Sequence, residues 1–338
     1  MRNPRFKIAS HLASAIYHCM SRTVNGEHCI DDTAKEILRK QFWQIADFCG
    51  VQILTYAIMS NHFHVLVRVP QKTIPDDREL LRRFQVLHPK PSVYQTARIE
   101  VIAEQLKNGD PAAYEWRKQQ LALMCDVSQF MKLLKQRFSI WFNRNHNRFG
   151  PFWAERFKSV LVEGRGNVTA TMSAYIDLNP VRAGLVNDPK DYRFCGYSEA
   201  VAGNKTAQAG IAAIFDISSG NVSESTRATW QSARDGYRMM LFGAGAASRA
   251  NKASITPEAL AKVAEENGTL PLPTVLRCRI RHLTDGAVLG SKAFVTEQLA
   301  SYRRRTGQRK RTHPSPLPNV TDWGDMVTLR GLRKNPFG

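Results

Sequence analysis

Residues 13–24 (ASAIYHCMSRTV) interleave β-branched and aromatic residues with small and polar ones and end at Asn25-Gly26, predicting a strand followed by a turn. The period then changes. Ile37, Leu38, Phe42, Ile45 and Phe48 recur at helical spacing, with Asp32-Thr33 as a start signal and Gly50 as a stop. VQILTYAIM and HFHVLVRVP, separated by Ser60-Asn61, predict two antiparallel strands joined by a tight turn. Residues 71–125 are polar and punctuated by Pro75, Pro89 and Pro91, which predicts a helical insertion. An amphipathic helix is predicted over 128–146, an alternating strand over 157–163, and a helix interrupted at Pro180 over 168–185. The order β-α-β-β-(insertion)-α-β-α predicts an α+β fold, a ferredoxin-like split βαβ antiparallel sheet with helices on one face. This domain would fill residues 1–200. The small-residue stretch 201–225 reads as a linker, and 226–338 as a basic, mostly helical extension whose end, from Thr312, is extended by Pro314, Pro316 and Pro318.

Charge adds a partner to this outline. The 338 residues carry 48 Lys+Arg against 29 Asp+Glu, a net +19, which makes a polyanion, and first of all nucleic acid, the expected partner. The excess divides almost evenly, +9 over residues 1–200 and +10 beyond, with a peak of ten basic against two acidic residues over 277–311. An apolar fraction of 43% excludes wholesale disorder. No apolar run approaches the ~18 residues of a membrane span, and no apolar stretch backs the basic N-terminus as a secretory signal would. Six cysteines without a CxxC pair read as reduced thiols. The expectation is a cytoplasmic, nucleoid-associated protein with no membrane partner.

Candidate chemistry sits in two places. His62 and His64 flank Phe63 on a predicted strand, so both imidazoles point to one face, where they can hold a divalent metal or simply be exposed histidines. Tyr175 and Asn179 are four apart on a predicted helix. Tyr175 is either a nucleophile toward a phosphodiester or a core aromatic. Asn179 is either an oxygen ligand or a helix end before Pro180. The polar-basic run 143–148, with Arg144 and Arg148, precedes Phe149, Phe152 and Trp153, and Arg156 and Lys158 follow at one strand parity. Together these would contact phosphates and stack on unpaired bases, although the aromatics suit a core equally well. Arg22 and Arg182 are further phosphate-binding candidates. Arg303, Arg304 and Arg305, with Arg309, Lys310 and Arg311, form a one-signed run that suits nucleic acid better than a solvated tail. His18, His28, Cys19 and Cys29 match no zinc-finger spacing.

Four blocks in fixed order, YHCMSR, AIMSNHFHVLV, FNRNHNRFGPFWAERFKSVLVE and AYIDLNPVRAGLV, resemble the single-tyrosine HUH transposases, in particular the REP-associated tyrosine transposases, over roughly residues 10–200. RHLTDGAVLGSKAFV (281–295) is similar to a C-terminal extension found in some members. The resemblance implies Mg²⁺ or Mn²⁺ held by His62, His64 and Asn179. It also implies that Tyr175 attacks single-stranded or hairpin DNA, takes the 5′-phosphate and leaves a 3′-hydroxyl, as a monomer or homodimer. Two alternatives remain: a rolling-circle replication initiator or relaxase, for which no GxxxxGK[ST] helicase motif is present, and a catalytically silent nucleic-acid-binding protein of the same fold.

Overall fold

The structure is a computed structural model and describes residues 4–88, 91–219, 229–242, 271–277, 280–307, 312–317 and 321–330. Four strands, β1 (Ala15–Arg22), β2 (Gln52–Ile58), β3 (His62–Val69) and β4 (Lys158–Val162), pair antiparallel in the order β2-β3-β1-β4. Helix α1 (Asp32–Cys49) connects β1 to β2, and α5 (Val127–Asn145) leads into β4. This is the ferredoxin-like split βαβ arrangement that the hydrophobic periods predict. The insertion is helical: α2 (Asp77–Val86), α3 (Val93–Lys107) and α4 (Pro111–Leu121).

Local chemistry sets the ends of α1. Asp31, one residue before the predicted start, accepts the Ala34 N–H at 2.7 Å as N-cap. Gly50 closes the helix at φ 62°, a left-handed conformation that costs a glycine little. The apolar stripe of α1 then meets the sheet: Phe42 packs edge-on against Tyr56 and Phe63, with ring centroids 5.4 and 5.3 Å away. Helix α5 covers the same face through Phe138 and the neighbouring Trp153.

The expectation of helices on one face is corrected by the second layer. Helices α6 (Asn167–Asp177), α8 (Gly196–Val201) and α9 (Lys205–Ser219) cover the opposite face, on β2 and β3. Small residues permit this. A side chain at Gly210 would put its Cβ 2.6 Å from the Ile53 carbonyl oxygen, and one at Gly196 would stand 2.9 Å from the Thr55 Cα. The Ala/Gly-rich stretch that reads as a linker is therefore a packed helix over 205–219, close to the sheet because its residues are small; residues 220–225 lie outside the described residues. A bulge between Ile53 and Thr55 turns Thr55, rather than Leu54, toward α6.

The extension continues the sheet. Strand β5 (Val288–Ser291) pairs parallel with β4, β7 (Met326–Leu329) pairs with β5, and β6 (Pro314–Pro316) forms the far edge, where a missing proline N–H is tolerated. Around these strands lie α10 (Trp230–Phe242), α11 (Leu272–Leu276), α12 (His282–Asp285) and α13 (Lys292–Thr306). The helices match the expectation for this region, and the three strands add to it. One buried cluster runs from Phe6 to Leu329 and includes residues of both parts.

Candidate active site

The site is built at the end of β1 and β3, where Arg22 lies opposite His62 and Met20 opposite His64. Alternation on β3 sends Phe63 and Val65 to the α1 face and both histidines to the α6 face. Their rings lie 5.2 Å apart, nearly perpendicular at 87°. The segment after β1 wraps the β2–β3 turn: Thr23 N–H donates to the Asn61 carbonyl and Ile30 N–H to that of Ser60, at 3.0 and 2.9 Å. That wrapping fixes Asn61. Its side chain donates to the Gly26 carbonyl and accepts from His62 Nδ1 at 2.6 Å.

His64 is buried and held by a third histidine. Its Nδ1 shares a hydrogen bond of 2.8 Å with His18 Nε2, and the two rings stack at 5.0 Å. Burial first, then the charges and imidazoles of His18, His62, Arg182 and Arg22, push His64 well below the ordinary histidine range. It is therefore neutral at physiological pH, the form in which an imidazole binds a metal.

These observations also test the fit of a divalent ion. In both histidines Nδ1 is engaged by a neighbour, the kind of contact that orients a metal-ligating imidazole. Among the described residues no group of three or more His, Cys, Asp or Glu is arranged to hold a metal ion. Two imidazoles can anchor one, with amide, water or phosphate oxygens completing its shell. The donor set fits such an open site.

The tyrosine arrives on α6, whose residues 168–177 are all buried. Tyr175 is 4% exposed. The chain leaves the α6 helix at Leu178 (ψ 0°), and α7 (Asn179–Arg182) begins with Asn179-Pro180. Proline has no N–H to continue the ladder. Asn179 is half-buried at this break. One turn on, Arg182 folds back: its guanidinium lies 3.9 Å from the Tyr175 ring centroid and donates to the Tyr175 carbonyl at 2.5 Å. The same cation is one of the charges that lower His64.

Two residues along, Asp177 is fully buried. Its carboxylate accepts from Thr55 Oγ1 (2.8 and 2.9 Å), the Tyr197 N–H (3.2 Å) and the Tyr237 hydroxyl (2.5 Å). Burial pushes Asp177 up to about 7 in spite of these donors.

The basic and aromatic candidates separate. Arg22 and Arg144 are exposed, Arg22 beside His62. Arg148 is paired with Glu27 at 2.7 Å. Trp153 is 8% exposed and donates its Nε1–H to the Lys135 carbonyl, so its ring belongs to the core rather than to a DNA track. Phe152 is buried with it. The aromatic left in solvent is Phe149, 94% exposed. Its loop joins the site through the Val24 N–H to Phe152 carbonyl bond and the Thr23–Trp153 bridge. Lys158 opens β4 and pairs with Glu155, whereas Arg156 precedes the strand, so the two do not share a strand face.

In α13, Arg303 donates to the Thr312 carbonyl, and Arg305 donates to the carbonyls of Lys7 and Arg5. Those two arginines tie the C-terminal helix to neighbouring chain; Arg304 is exposed, and Arg309, Lys310 and Arg311 lie outside the described residues. Sequence reasoning did not assign a role to His18 or Asn61. Alternation in YHCMSR places His18, Met20 and Arg22 on one face, but only the strand register brings His18 to His64.

Residues 11–77 match the family model described as "Transposase IS200 like". That span holds β1, α1, β2 and β3, with both histidines of the pair and His18, and the resemblance read from the sequence is borne out there. A solved structure of a REP-associated tyrosine transposase bound to a REP hairpin is similar at 14% identity and TM-score 0.33, covering 60% of this chain and 87% of that one. No curated protein matches the chain. Among the described residues no helix is long and apolar enough to cross a membrane.

Proposed function

We propose that this protein cleaves and rejoins DNA at single-stranded or hairpin sites through Tyr175, in the manner of a single-tyrosine transposase. The observation that carries the reading is the pair His62 and His64. They lie on one strand face, each engaged through Nδ1, within a segment that matches the IS200-like family model.

In this reading Tyr175 Oη attacks a DNA phosphorus. The bond to the 3′-oxygen breaks, the phenolic proton passes through solvent to that leaving oxygen, and a 5′-phosphotyrosine ester remains. Because the ester conserves the phosphodiester bond, a 3′-hydroxyl can reverse the step onto another strand without ATP. His62 and His64 would hold Mg²⁺ or Mn²⁺, with Asn179 as a candidate oxygen donor. The ion, when bound, supplies charge that offsets the build-up on the phosphate oxygens, typically several kcal/mol. His18 and Asn61 fix the imidazole orientations. Arg22 and Arg144 attract the phosphate backbone, and Phe149 offers a face on which an unpaired base can stack.

The burial of Tyr175 favours one rival, a catalytically silent hairpin-binding protein. The two readings part in one assay. Incubation with labelled single-stranded DNA carrying a flanking hairpin and Mn²⁺ is expected to give an SDS-resistant adduct that chelation and Tyr175→Phe both abolish. Tight, salt-sensitive binding without an adduct selects the silent protein.

A further inference from the structure

Arg182 makes three contacts at once. It covers the Tyr175 ring, takes the Tyr175 carbonyl, and donates to the Leu276 carbonyl at 2.8 Å. Leu276 ends α11, 94 residues further along the chain and within the extension. A second connection lies one helical step away, where the Tyr237 hydroxyl of α10 reaches the Asp177 carboxylate. Helix α10 packs on both α6 and α9, and α11 packs on α6 and α10. Two polar contacts thus join the extension to the end of the tyrosine helix, one through Arg182 of α7 and one directly at Asp177 of α6. Leu276 and Tyr237 are both fully buried, which a surface affinity module would not require. A planar guanidinium suits this task because it stacks and donates in fixed directions, which an ammonium cannot do.

We infer that Arg182 is the positioning residue of Tyr175, and that the C-terminal extension, through Leu276 and Tyr237, sets the tyrosine helix for the covalent step rather than serving DNA affinity alone. The inference rests on the proposed role of Tyr175 as nucleophile. It assigns to Arg182 a task other than phosphate binding: it donates to two backbone carbonyls, and its guanidinium lies over the tyrosine ring.

The test compares wild type, Arg182→Met, Arg182→Lys and Tyr237→Phe as full-length proteins, each confirmed as folded by circular dichroism. Hairpin affinity and adduct rate at saturating DNA are measured separately. Arg182→Met is expected to slow the adduct step about 10- to 100-fold, the scale of a misplaced reacting group, with hairpin affinity unchanged. Amide exchange over 176–183 should accelerate in the same variant. Arg182→Lys should stay slow, since it restores charge without the planar fork, and Tyr237→Phe should slow the step to a lesser degree.

An Arg182→Met protein that loses affinity but reacts at the wild-type rate when saturated overturns the inference, as does full rescue by Lys. If Arg182→Met does not fold, Tyr237→Phe decides: a folded variant reacting at the wild-type rate removes the extension from the covalent step. Absence of an adduct in wild type itself is a different failure. That result rejects Tyr175 as nucleophile and with it the reading on which the inference rests.

Discussion

The four-stranded half and the extension solve different problems with the same sheet. In the first, every element that presents His62 and His64 lies within residues 15–69: β2 and β3 form a hairpin, β1 pairs with β3, and residues 23–30 return to wrap the hairpin turn. In the second, β5 reaches β4 across more than a hundred residues, and Tyr237 reaches Asp177 across sixty. The histidine pair is thus built within the first three strands, and the tyrosine helix is tied to the extension as well. A reaction that needs both depends on the whole chain, although its recognisable motifs occupy only the first part.

The largest expected effect separates those parts. Removing residues 226–338 exposes the β4 edge, uncovers apolar residues of the shared core, and takes the Tyr237 hydroxyl from the Asp177 carboxylate. The truncated protein should be insoluble or unfold at a clearly lower Tm. A truncated protein with an unchanged Tm and only weaker DNA binding would return the extension to the role of an affinity module.

His64→Ala should come next. It is expected to abolish Mn²⁺ binding and adduct formation together while hairpin binding in the absence of metal persists; an adduct that survives would place the chemistry elsewhere. His18→Phe removes only the support of His64 and should weaken Mn²⁺ affinity about 10- to 100-fold, the range for partners that orient a ligand. Titration calorimetry would show it, and an affinity equal to that of wild type would reduce His18 to packing. Phe149→Ala should leave Tm and Mn²⁺ binding intact and cost about 1–3 kcal/mol of single-strand affinity. The smallest change is expected from Arg22→Gln, which should flatten the salt dependence of DNA binding by about one unit of slope.

The same contrast explains what could be read from the sequence. Strands and helices of the first half follow hydrophobic periods, and those periods are local, so β1, α1, β2, β3, α5 and β4 fall within a few residues of their predicted positions. The HxH pair was legible because alternation on one strand is enough to place both rings. His18 was not, since its meeting with His64 depends on the register between β1 and β3. Helix α9 reads as a linker because Ala and Gly are frequent in it, yet those small residues are what let it lie on the carbonyls of β2. Trp153 and Phe149 are four residues apart with the same basic neighbours, and the sequence treats them alike. The bridge from Thr23 to Trp153 decides between them by placing one ring in the core. Arg182 likewise looks like any basic residue beside a motif until α7 turns it back onto Tyr175.

The claim that Tyr175 is the nucleophile is tested most directly by isolating the covalent adduct formed with single-stranded hairpin DNA and Mn²⁺, trimming the DNA with nuclease, and mapping the modified peptide by mass spectrometry. The expected result is a 5′-phosphonucleotide on Tyr175 and on no other residue. A nucleotide on a different side chain, or no modified peptide from active protein, would contradict it.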